Sequence, residues 1–120
     1  MSAIFIIDHH EPPAGHEDET WNPSRGVFVW VVEVLADRVR DDELAGLLRE
    51  FLKGGYAWLA LTYYTPDQGA EIVRVVREEL KDAIEAEQPA AVARNAAVHH
   101  MIDELVGMAD RWAGSSGVTA

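Results

Sequence analysis

The five histidines of this chain fall into two groups, and acidic residues accompany both. The first group (His9, His10 and His16) lies near the N-terminus, and the second is the adjacent pair His99 and His100. Imidazole nitrogens and carboxylate oxygens are common ligands of divalent metal ions. A fold that laid the first group over the second would therefore assemble a mixed metal site.

The second group also has helical spacing. On a helix, His99 shares a face with Asp103, and His100 shares one with Glu104, because each pair is four residues apart. Such pairs can bind a metal, but they are equally ordinary on an exposed helix face, and no complete zinc pattern such as H-E-x-x-H occurs. Metal binding is therefore the alternative hypothesis, with the ligands His9, His10, His16, His99, His100 and Asp103.

Asp8, His9 and His10 follow directly on an apolar segment that has the composition of a strand. This fragment resembles one motif of the DHH phosphoesterases, whose strand-borne Asp and His residues hold catalytic metal ions. That family carries further Asp-bearing motifs upstream, whereas seven residues precede Asp8 here. The resemblance covers only about eight residues, which is too local a match to assign a family.

Other catalytic patterns are missing from the sequence. It contains no Gly-rich phosphate loop and no nucleophile elbow. It also contains no cysteine, which excludes disulfides, thiolate chemistry and cysteine-ligated zinc. We therefore expect no cofactor, and we favour a binding role over an enzymatic one.

The charge of the chain points to a class of partner. Ten basic residues stand against 21 acidic ones, a formal net charge of −11. This balance disfavours nucleic acid and anionic membranes, because affinity for both comes largely from Lys and Arg. The favoured hypothesis is a small acidic accessory protein (regulatory, inhibitory or immunity-like) that binds a basic protein as a monomer or homodimer. The apolar run from Ala3 to Ile7 is too short for a signal peptide or membrane span, so a cytoplasmic location is expected.

The tryptophans predict where such a partner could bind. Trp21 lies in a polar segment and fits no helical stripe. We favour a role in anchoring that segment to the body of the protein, with partner contact as the alternative because Trp is enriched at binding hot spots. The predicted partner-binding residues are Trp21, Glu17, Asp18 and Glu19. The tryptophans that lie within apolar segments are predicted to be in the core: Trp30, Trp58 and Trp112.

A mostly α fold must position these residues. The sequence predicts a compact bundle of about four helices with one or two short N-terminal-side strands. One domain is expected over residues 1–113, with a flexible tail over 114–120. Residues 3–8 are predicted to form a strand, and the polar residues 9–25 a long loop.

Four segments have helical patterns. The first runs over 27–39, with Asn22-Pro23 as its N-terminal cap. The second begins at Asp41-Asp42 and ends at Gly54-Gly55. The third is opened by the capping box Thr65-Pro66-Asp67-Gln68 and continues to Ile84. The fourth starts at Pro89 and ends at about Trp112.

Two further expectations concern the middle of the chain. Residues 56–64 fit either a buried strand or two turns of helix, and a strand there could pair with residues 3–8. The outer face of the third helix alternates in charge at spacings of three and four, which predicts a solvated, salt-bridged surface rather than a site. Its residues are Glu71, Arg74, Glu78, Lys81 and Glu85.

Overall fold

The structure, a computed structural model, describes residues 3–10, 18–87 and 95–115. These residues form three short strands, five α-helices and one 3₁₀ turn, so the predicted mostly α fold with a few strands is confirmed. In chain order the elements are β1 (Ile4–Ile7), β2 (Glu19–Trp21), α1 (Arg25–Arg38), α2 (Asp42–Lys53), β3 (Trp58–Ala60), the 3₁₀ turn (Leu61–Tyr63), α3 (Pro66–Glu78), α4 (Leu80–Glu87) and α5 (Ala96–Ser115).

The three strands form one sheet in the order β2-β1-β3. The central strand β1 runs antiparallel to β2 and parallel to β3. Its side chains alternate, so that Phe5 and Ile7 are buried in the core while Ile4 and Ile6 are half-buried on the outer face. The strand predicted over 3–8 is confirmed. Residues 56–64 contain both a strand, which pairs with β1 as expected, and a 3₁₀ turn.

The strand β2 corrects the predicted loop over 9–25. Three residues are too few to show a period-two pattern, so nothing in the local sequence indicated a strand. It forms because β1 offers its backbone as a partner and because Trp21 packs edge-on against Phe5, with the ring centroids 6.5 Å apart. Residues 11–17 of the predicted loop lie outside the described residues.

Helix α1 is capped two residues later than the predicted Asn22 and begins at Arg25. Its N-cap is Ser24, whose hydroxyl accepts a hydrogen bond from the amide of Val27 at 3.4 Å. Asn22 and Pro23 do not cap it, because the Pro23 carbonyl accepts from the Ala3 amide at 3.3 Å and holds the chain beside the sheet. The helix predicted over 27–39 is otherwise confirmed.

Helices α2 and α3 begin at the predicted signals. The Asp41 carboxylate caps α2 by accepting from the Leu44 amide at 3.2 Å, and Gly54 ends the helix. The next residue, Gly55, has a positive φ of 69°, a conformation that favours glycine. At α3, Thr65 and Gln68 exchange both hydrogen bonds of the predicted capping box.

The predicted third helix is broken in two. It ends at Glu78, and α4 starts at Leu80. Glu79, which lies between the two helices, forms a salt bridge with the guanidinium of Arg74 at 2.8 Å. Arg74 also forms a salt bridge with Glu71 at 2.7 Å. The predicted face is therefore salt-bridged at Glu71 and Arg74 as expected, but the two side chains are not solvated, because they form a half-buried ion-pair network with Glu79.

Helix α5 carries the second histidine group. Asn95 caps it by accepting from the amides of Ala97 and Val98 at 2.9 and 3.4 Å. The helix continues through Ser115, so the tail predicted from 114 starts too early, while Pro89 and residues 116–120 lie outside the described residues. In the part of the chain that is described, none of the helices combines the length and apolar character needed to cross a bilayer.

Candidate protein-binding surface

The N-terminal histidines are in contact with other parts of the fold. The His9 ring stacks on the Trp112 ring of α5, with centroids 4.8 Å apart and planes 2° from parallel. The His10 Nε2 lies 2.7 Å from the carbonyl oxygen of Tyr64. His16 lies outside the described residues. The first group is thus spread between α5 and the end of the 3₁₀ turn rather than gathered at one point.

Asp8 joins β1 to the same two regions. Its carboxylate accepts from the Thr62 amide at 3.1 Å and from the Thr62 hydroxyl at 2.7 Å. Its backbone carbonyl accepts from the Trp112 indole at 2.9 Å. The Asp8-His9-His10 fragment, which resembles a phosphoesterase motif, therefore ties the end of β1 to the 3₁₀ turn and to α5.

The second histidine group lies near the start of α5, and its acids have partners. His100 Nε2 is 3.3 Å from Glu104, the predicted pair at a spacing of four. Asp103 instead meets the ammonium of Lys81 on α4 at 2.9 Å. That hydrogen bond lowers the pKa of Asp103. Asp103 thus forms a salt bridge between helices, whereas the alternative hypothesis from the sequence made it a metal ligand together with His99.

His9 and the second histidine group lie at opposite ends of α5. Trp112, which carries the His9 ring, follows His100 by 12 residues. At 1.5 Å per residue the separation along the axis is about 18 Å. The structure therefore does not bring the described members of the two groups together. Among residues 3–10, 18–87 and 95–115, no three His, Asp or Glu side chains form a group that could hold a metal ion.

The predicted partner-binding residues on β2 already contact other residues of this protein. Trp21 is 2% exposed, and its indole donates to the Met101 carbonyl at 2.8 Å. It therefore anchors β2 to α5, the interpretation favoured from the sequence, and its buried side chain offers no surface to a partner. Glu19 forms a bidentate pair with Arg111, with the shortest N–O distance 2.7 Å. Asp18 is exposed, and Glu17 lies outside the described residues.

Large exposed apolar side chains lie instead at and just before β3, the edge strand opposite to β2. Tyr56 is 63% exposed and Trp58 is 54% exposed, so the prediction that Trp58 lies in the core is wrong. Trp30 and Trp112, which were also predicted to lie in the core, are only half-buried and pack against it. The reason for the difference is register: Leu59 packs inward beside Phe5, and its neighbour Trp58 must then point to the outer face.

Helix α2 extends this exposed surface. Tyr56 precedes Trp58 by two residues, a spacing at which side chains share a face of extended backbone. Both side chains are exposed, while Ala57 between them is half-buried. The Tyr56 ring lies 5.6 Å from the Phe51 ring on α2. Leu47, which is 42% exposed, is one helical turn before Phe51. We call these four residues the aromatic patch: Leu47, Phe51, Tyr56 and Trp58.

Tyr56 is held in place even though it is exposed. Its ring lies directly over Gly54, where an added β-carbon would collide with the ring atoms. The ring is therefore confined between Phe51 and the backbone at the end of α2. An aromatic side chain fixed in this way loses little conformational freedom when it binds, which lowers the entropic cost of association.

The patch offers side chains rather than a strand edge. Beyond Trp58 the outer edge of the sheet is covered, because Ala60 is only 3% exposed. This leaves too short an open edge for a partner to add a strand, since strands usually have three residues or more.

The Arg25 guanidinium, which donates to the Gly55 carbonyl at 2.6 Å, fixes the turn that carries Tyr56.

The patch was not predicted, because an apolar run between two turns indicates a buried segment and does not show which side chains are exposed. The signal that could have found it is the alternation in Tyr56-Ala-Trp58-Leu-Ala60, with large rings at every second position. Comparisons of the chain with protein-family models, with curated proteins and with solved structures find no match.

Proposed function

We propose that this is an acidic accessory protein that acts by contact with another protein, and that the aromatic patch is its contact surface. The carrying observation is that Tyr56 and Trp58 are both more than half exposed, while Ala57 between them packs against the core. Single apolar residues at a surface are ordinary, but clustered rings mark binding sites. Tyr and Trp are also the side chains most enriched at binding hot spots.

The charge of the chain supports the class of partner. A net charge of −11 favours a basic protein over nucleic acid or an anionic membrane. A cytoplasmic location, a monomeric or homodimeric state and a regulatory or inhibitory role belong to the same proposal. Metal binding stays the alternative, but the described histidines give it little support because they lie at the two ends of α5.

Site-specific photocrosslinking in cells tests the proposed surface. A crosslinking amino acid at position 58 should give a discrete adduct with another protein, and Tyr56→Ala in the same chain should abolish it. The matched control places the crosslinker at Tyr63, which is similarly exposed (60%) but lies on the 3₁₀ turn outside the patch. Adducts of equal yield at 58 and 63, or an adduct at 58 that is insensitive to Tyr56→Ala, would contradict the proposal.

A further inference from the structure

The aromatic patch lies at one end of the outward face of α2, and carboxylates lie at the other. Glu43 is one turn before Leu47 on the same face of the helix. The buried Gln68 side chain donates to Glu43 at 3.4 Å and so brings the start of α3 beside the start of α2. Asp42, Glu43 and Asp67 are all exposed there.

Several acids on the other helices are paired with basic residues of the fold. On α5, Asp103 is neutralised by Lys81 at 2.9 Å and Asp110 by Arg77 at 2.7 Å. Within the described ranges, no Lys, Arg or His forms a salt bridge with Asp42, Glu43 or Asp67. The start of α2 therefore carries negative charge that the rest of the described fold does not cancel.

The helix dipoles reduce this charge only in part. Asp42 and Glu43 are in the first turn of α2, and Asp67 is in the first turn of α3. Each helix N-terminus contributes roughly half a positive charge, so two of them offset about one of three carboxylates. Roughly two negative charges remain for a partner to complement.

We infer that the partner presents a peptide segment with two features, an apolar side chain that packs on the aromatic patch and Lys or Arg residues that meet Asp42, Glu43 and Asp67. This inference rests on the proposed function of the patch. Glu43 and Phe51 are eight residues apart on α2, so the two features of the segment are about 12 Å apart. Such a distance corresponds to about two turns if the segment is a helix.

Charge argues against a second copy of the chain as the occupant. Each copy carries a net charge of −11, and the same three carboxylates would approach the partner copy. Like charges brought together at an interface oppose association. Two basic residues close to the patch in sequence or through contacts already have partners. Lys53 lies 3.8 Å from Glu50, and Arg25 donates to the Gly55 carbonyl.

Selection from a displayed library of random 12-residue peptides on the intact protein tests this inference. Peptides that bind the wild type but not Trp58→Ala should be enriched in an apolar residue and in a Lys or Arg cluster separated from it. Their affinity should fall about tenfold in the variant Asp42→Asn/Glu43→Gln/Asp67→Asn, since an exposed ion pair contributes modestly and three are removed. It should also fall with added salt.

The matched control is Asp82→Asn/Glu85→Gln, which removes exposed carboxylates from α4 and should leave the affinity unchanged. Melting temperatures verify that each variant is folded. Patch-dependent peptides that are neutral or acidic, or that bind the triple variant as well as the wild type, overturn this inference while the proposed function stands. A selection that yields no patch-dependent peptide contradicts the proposed function itself.

Discussion

Trp21 lies on β2 and Trp58 lies on β3, the two strands that flank β1. Each pairs with a residue of β1, and these two residues are neighbours in the sequence. Trp21 is opposite Phe5, and Trp58 is opposite Ile4. Because neighbouring residues of a strand point to opposite faces, this single step sends Trp21 into the core and Trp58 toward solvent. The same residue type is thus buried at one edge of the sheet and exposed to solvent at the other.

The surroundings of the two strands strengthen the difference. Strand β2 is attached to α5 by the hydrogen bond from Trp21 to Met101 and by the Glu19–Arg111 pair. At β3, Trp58 and the adjacent Tyr56 keep more than half of their surface exposed. An edge strand that is tied to a helix is suited to stability, whereas exposed rings on a fixed segment are suited to recognition.

The largest expected effect is the difference between two matched substitutions. Trp21→Ala should lower the free energy of unfolding by about 3–5 kcal/mol, since it empties a fully buried site. Trp58→Ala should lower it by less than about 1 kcal/mol, because the ring is largely in solvent already. Denaturant unfolding monitored by circular dichroism measures both. Similar losses of unfolding free energy in the two variants would show that the two tryptophans do not differ in their contribution to stability.

A second expectation concerns pH and the ion-pair network between α1, α3 and α4. The hydrogen bond from Arg74 lowers the pKa of Glu71 from its usual 4.5, and a hydrogen bond from the Arg40 amide adds to this. A depressed pKa means that the ionised form stabilises the fold above pH 4.5 and that this contribution is lost as pH falls through the folded pKa. Acid should therefore lower the free energy of unfolding of the wild type. Glu71→Gln should have a lower free energy of unfolding than the wild type at pH 7, and it should lose less of it as the pH falls below 4.5.

The same titration sharpens the comparison of the two edges. Trp21 and Trp58 act through packing, so the stability difference between Trp21→Ala and Trp58→Ala should stay constant from pH 7 to pH 4 while both variants lose stability in parallel. Unfolding curves at several pH values test this. A difference that shrinks on acidification would indicate that charge, in addition to burial, separates the two edges.

The smallest expected effect is that of divalent metal. After chelation, added zinc, nickel, manganese or magnesium should leave the melting temperature unchanged, because the described histidines of the two groups are far apart on α5. A bound metal at a hundredfold excess over its dissociation constant would instead stabilise the fold by about 2.7 kcal/mol. A shift that is lost in His99→Ala and also in His9→Ala would contradict this and would show that a metal joins the segment after β1 to the start of α5.

The sequence by itself determined the features that depend on residues close together in the chain. The capping box at Thr65–Gln68, the cap at Asp41 and the end of α2 at Gly54 follow from hydrogen bonds within three or four residues, so local patterns predict them. The strand β1 was also predictable, because its four residues are all strong β-formers.

Tertiary structure decided the features that depend on distant partners. β2 exists because β1 pairs with it, the α3–α4 break occurs where Glu79 meets Arg74 and Arg38, and α5 separates the two histidine groups. The fate of Trp58 was decided in the same way. An apolar segment of nine residues has two faces, and only the register with β1 determines which face meets the core and which meets solvent.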